Sequence, residues 1–80
     1  MDTCTAVKYR LLELCGEKNI SIYKLAMESG VPASTVKSIL YGKSKNPGIV
    51  TLKMLCDGLG ISLAAFFATP AFDCLEQELH

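Results

Sequence analysis

Residues 21–42, SIYKLAMESGVPASTVKSILYG, constrain the fold more than any other stretch, because they read as two short helices folded about one glycine. Ser21 is a favourable N-cap for a helix over 21–29, and Leu25 and Ala26 fall on its inner face. Gly30 comes where that helix must stop, and glycine enters left-handed backbone without a Cβ clash. Val36 and Ile39, three apart, give a helix over 33–41 an inner face that closes on Leu25 and Val31. Ala26 is small enough for the two helices to cross closely at a steep angle. Pro32 stands either at the first position of the second helix or at its cap, where it offers no side-chain acceptor. Gly42 supplies the stop.

The remaining segments supply helices for this pair to pack on. Val7, Leu11, Leu14 and Cys15 lie at i, i+4, i+7 and i+8 of a first helix over 3–17, with Asp2 or Thr3 as cap and Gly16 and Asn19 at its exit. Ile20 precedes the Ser21 cap as a hydrophobic staple. After a loop of turn-forming composition, GKSKNPG, a fourth helix over 49–59 aligns Leu52, Leu55, Cys56 and Leu59. Gly58 within it costs up to about 1 kcal/mol relative to alanine. Gly60 ends that helix and Ser62 caps a fifth, over 63–67. Thr69 and Pro70 then signal a new start, and Phe72, Leu75 and Leu79 at helical spacing allow a short extra helix. The expected architecture is all-α, with one domain over 1–68 and an acidic tail over 69–80.

Composition removes several classes of function. Half of the 80 residues are apolar, enough for a helical core, yet no apolar run approaches the roughly 20 residues of a membrane span. The opening MDTCTAVKYR lacks the basic and then apolar pattern of a signal peptide, so a cytoplasmic protein is expected. Cys4, Cys15, Cys56 and Cys74 include no pair at metal-knuckle spacing, and they read as reduced thiols with no cofactor. No nucleophile triad, phosphate-binding glycine loop or clustered acid pair marks an enzyme. Net charge is zero, but it is unevenly spread. Residues 29–56 carry Lys37, Lys43, Lys45 and Lys53 and no acid, whereas all 8 acidic residues lie outside.

The 21–42 pair is the helix-turn-helix arrangement, and it resembles the lambda and Cro repressor-like (XRE-type) domains. Ala26, Gly30 and Val36 match the small, glycine and apolar positions of that motif, and NPGIVTLKMLCDGLGISLAAFF resembles the family's fourth and fifth helices. The likeness covers about residues 7–67. It implies a five-helix lambda repressor-like bundle whose third helix enters the major groove of double-stranded DNA as a bacterial or phage transcription regulator. By resemblance, Ala33, Ser34 and Ser38 fall where family members touch base edges; Lys37, outward on the same helix, can reach guanine or a phosphate. Ser21, Tyr41, Lys43, Ser44, Lys45 and Asn46 are expected at phosphates, which position a protein without reading sequence. Ile22 stands where the family often has a clamping glutamine, and Ser29 replaces a residue that is usually apolar.

Operators of such proteins imply a homodimer, for which Leu63, Phe66, Phe67, Phe72 and Leu75 are the expected interface. The acidic tail is expected to face away from DNA. Two other classes stay open: an antitoxin-like autoregulator whose tail binds a protein partner, and an interaction module that keeps the fold without DNA binding.

Overall fold

A computed structural model describes residues 1–41 and 46–79. Among them six helices follow in order: α1 (Thr3–Lys18), α2 (Ile22–Ser29), α3 (Ala33–Leu40), α4 (Ile49–Leu59), α5 (Leu63–Phe67) and α6 (Pro70–Asp73). Local chemistry explains each boundary. The Thr5 N–H donates to Asp2 Oδ1 at 2.8 Å, so Asp2 rather than Thr3 caps α1. Hydrogen bonds from Thr5, side chain and backbone, hold that carboxyl below the usual carboxylate range. Ser21 Oγ accepts from the Lys24 N–H at 3.1 Å, and Ser62 Oγ from the Ala65 N–H at 3.0 Å. Gly30 (φ 68°) and Gly60 (φ 74°) end α2 and α4 in left-handed backbone, as Asn19 (φ 54°) ends α1. Pro32 is the cap of α3 and makes no side-chain bond; its carbonyl starts the helix by accepting from Thr35 and Val36.

α2 packs on α4 and α3, α1 on α3 and α6, and α4 on α5. The enclosed centre is formed by Leu11, Leu25, Val36, Leu55, Cys56, Leu59 and Phe66. Two long-range contacts that no local pattern announces complete it. Arg10, only 14% exposed, donates from Nε to the Phe66 carbonyl at 2.7 Å and from Nη2 to the Ala65 carbonyl at 2.9 Å. It thereby satisfies the C-terminal end of α5 from α1, and it also pairs with Glu13. Arg10→Met retains the apolar stem and removes both charge-assisted bonds, so it should destabilise by about 1.5–3 kcal/mol. A thermal melt checks this; for a domain of this size a shift below about 3 °C would show the bridge to be dispensable.

The second contact joins α2 to α4. Ser29 is buried, and among the described residues its hydroxyl has no hydrogen-bond partner. A Cβ on Gly58 would lie 2.1 Å from Ser29 Oγ and 3.0 and 3.1 Å from its backbone N and Cα. The two helices therefore meet where α4 has no side chain, and the apolar residue usual at the Ser29 position is replaced by a small one.

The tail departs from the expected helical stripe. α6 is a single turn ending at Asp73, so Phe72 is helical while Leu75 and Leu79 lie beyond it. The Glu76 N–H donates to the Met1 carbonyl at 3.2 Å, and Thr3 Oγ1 donates to Glu78 Oε2 at 2.8 Å. These bonds turn the chain back along the start of α1, and Leu79 is left 82% exposed. Glu78 lines one cleft with Asn46 and Pro47, so part of the acidic tail shares a side with Asn46, a residue expected at phosphates.

Candidate nucleic-acid interface

α3 is two-sided because Val36, Ile39 and Leu40 point into the core. Its other side carries an exposed Ser34 and half-buried Ala33, Thr35, Lys37 and Ser38, followed by an exposed Tyr41. The structure thus brings all four residues expected at base edges onto one helix, with Tyr41 just beyond its end. Ser38 Oγ donates to the Ser34 carbonyl at 3.0 Å. That hydroxyl has its proton engaged and presents lone pairs outward, so it is set to accept.

Lys37 is not free-standing. Its ammonium lies 4.7 Å from the ring centroid of Tyr23, in the first turn of α2. A hydrogen bond with Tyr23, and then that residue's electrostatic influence, raise the Lys37 pKa, so the side chain is charged throughout the physiological range. Tyr23 is the residue that reading α3 alone misses. Its signal is an outward aromatic in the turn after the Ser21 cap, but only the crossing of α2 and α3 brings it to Lys37.

Of the residues expected at phosphates, Ser21 is exposed beside the α2 amides it caps, and Asn46 is exposed before α4. Ile22 is half-buried and packs on the core, which accounts for an apolar residue where a clamping glutamine is usual. Lys43, Ser44 and Lys45 lie outside the described residues. Phe66, expected at a dimer interface, is fully enclosed in its own chain and is a core residue. Leu63, Phe67, Phe72 and Leu75 are half-buried, with Phe67 edge-on to both Phe66 and Phe72 at 4.9 Å.

Among the described residues no group of three or more His, Cys, Asp or Glu side chains could hold a metal ion. Burial raises the Cys15 and Cys56 thiols, which act as small apolar core residues. No helix among the described residues is long and apolar enough to cross a membrane.

This all-α arrangement, with two crossed helices and a polar outward face on the second, is that of a lambda repressor-like helix-turn-helix domain. Residues 10–71 match the model of the Cro/C1-type HTH DNA-binding domain, and the chain belongs to that family, one of DNA-binding transcription regulators. Among solved structures it is similar to the prophage Lp1 protein 11, at 36% identity over 91% of this chain and 97% of that one, with a TM-score of 0.80. It also shares its fold with the wild-type restriction-modification controller protein C.Esp1396I, at 23% identity over 94% and 95% of the two chains and a TM-score of 0.77. A point mutant of that controller gives 25% identity over 84% and 86%, with a TM-score of 0.73. No curated protein sequence matches the chain.

Proposed function

We propose that the chain is a sequence-specific transcription regulator that lays α3 in the major groove and regulates by occupancy, blocking or recruiting polymerase. The observation that carries this reading is the Tyr23–Lys37 contact, because it sets the start of α2 beside the outward face of α3. Unpaired amides at the start of α2, suited to a phosphate, then share a surface with side chains suited to base edges. Ser34 can donate or accept. Ser38, its proton turned to the Ser34 carbonyl, suits a base amino group such as cytosine N4 or adenine N6. Lys37 suits guanine, and Ala33 a thymine methyl. Lys43, Ser44, Lys45, Asn46, Tyr41 and Ser21 hold the backbone.

The working form is a homodimer on two half-sites about one helical turn apart, joined through Leu63, Phe67, Phe72 and Leu75. It acts in the cytoplasm, on DNA near its own promoter among other sites. Similarity to a restriction-modification controller and a prophage protein supports a regulator of this kind.

The test is a salt titration on a duplex selected from random DNA and on a scrambled control. Lys43→Ala or Lys45→Ala should weaken both duplexes alike and reduce the slope of log K against log salt by about one unit per lost phosphate contact. Ser34→Ala or Lys37→Ala should cost roughly 1–3 kcal/mol on the selected site and much less on the scrambled one. Sedimentation with and without the selected duplex reads the dimer, and a monomer in both conditions removes it. If the parent prefers no sequence and neither set of substitutions matters, base reading is lost as a function and an interaction module with this fold replaces it.

A further inference from the structure

We infer that Tyr23 determines sequence specificity by positioning Lys37, so that base reading depends on a residue of the supporting helix as well as on α3. This rests on the reading that α3 meets base edges. Lysine is a weak reader alone: its charge sits on four rotatable bonds and can swing between a base and either neighbouring phosphate. Here that freedom is restricted. The ammonium stands 4.7 Å from the Tyr23 ring centroid, within the range of cation–π attraction. Lys37 is half-buried while Tyr23 is itself 57% exposed, so the ring is a wall on one side of the lysine and not part of the core.

Tyr41, also exposed, follows α3 one turn after Lys37. Among the described residues Lys37 makes no ion pair, whereas Lys24 and Lys53 are each joined to a carboxylate four residues on in their own helices. The lysine on the outward face of α3 is therefore held by an aromatic face that leaves its charge unneutralised. It can still attract a guanine edge, from a narrowed set of positions.

The experiment uses the full chain, with Tyr23→Leu, Tyr23→Phe, Lys37→Ala and the double variant Tyr23→Leu/Lys37→Ala, on the selected and scrambled duplexes. Two readings are taken: the affinity ratio between duplexes, and the NMR shifts of the Lys37 ε-methylene protons without DNA. Tyr23→Leu should lower the ratio about two- to fivefold, the range of an exposed cation–π contact converted to affinity, with the salt slope unchanged. Tyr23→Phe should keep part of the ratio, since the ring remains while the hydroxyl that also partners Lys37 is lost. The effect of Tyr23→Leu should vanish when Lys37 is alanine. Upfield-shifted ε protons should move to ordinary lysine values in Tyr23→Leu alone of the two Tyr23 variants. Equal losses on both duplexes, an undiminished Tyr23→Leu effect in the Lys37→Ala background, or unshifted ε protons in the parent would overturn the inference. A parent whose preference survives Tyr23→Leu but not Lys37→Ala overturns this inference alone. A parent with no preference overturns the base-reading function on which it stands.

Discussion

Val36→Asp should cost the domain more than about 4 kcal/mol, a third or more of its stability. Val36 is fully enclosed on the inner face of α3, in the same apolar cluster as Leu25, Leu52 and Leu55. A carboxylate there loses its hydration within an apolar cluster. It must either remain charged in an apolar site or take up a proton at neutral pH, and either course exceeds about 4 kcal/mol. A domain of 80 residues has roughly 4–12 kcal/mol in total. Circular dichroism through a urea titration reads the result. A variant with its midpoint near that of the parent would mean that α3 does not present this face to the core.

Gly58→Ala gives the second large effect, and two principles oppose each other over its sign. Inside a helix the change should gain up to about 1 kcal/mol, because alanine loses less backbone entropy on folding. The new methyl, however, would stand 2.1 Å from Ser29 Oγ and about 3 Å from the Ser29 backbone, where rotating the hydroxyl away does not remove the overlap. Relieving it requires α2 and α4 to part, and overpacking of this kind costs about 1–3 kcal/mol. The steric effect should win, and the melting temperature should fall. In a Ser29→Ala background the nearest clash is gone and the loss from Gly58→Ala should be smaller, so a double-variant cycle gives the coupling. A rise in melting temperature on Gly58→Ala in the parent would show that the glycine does not set the α2–α4 spacing. Because α2 carries Ser21 and Tyr23, any parting of these helices also shifts the surface facing Lys37.

What could be read beforehand divides along the same line as these two predictions. The five main helices were legible because their signals are local: Ser21 and Ser62 cap the turns they begin, and Gly30 and Gly60 end the helices they follow. Val36 and Ile39 show their burial by spacing alone. Gly58 reads locally only as a weak helix residue, because its reason lies 29 residues earlier at Ser29. The tail misleads for the same cause: Phe72, Leu75 and Leu79 keep helical spacing, while bonds to Met1 and Thr3 draw the chain out of the helix. On the interface, the outward residues of α3 follow from its inward ones. The restraint on Lys37 does not, since it depends on the angle at which α2 crosses.

The bridges from Arg10 to the α5 carbonyls and from Met1 and Thr3 to Glu76 and Glu78 also bear on how the protein is born. They join positions 55 to 75 residues apart, so α1 is synthesised well before its polar partners. α2 and α3 can meet soon after both are synthesised, since only a short turn separates them. α1 can pack on α3 as soon as that helix is made, but Arg10, Met1 and Thr3 stay solvated until residues 65–78 have followed. The slow event in forming this domain is then closure of α1 onto residues 65–78, a loop whose entropy must be overcome before those contacts form.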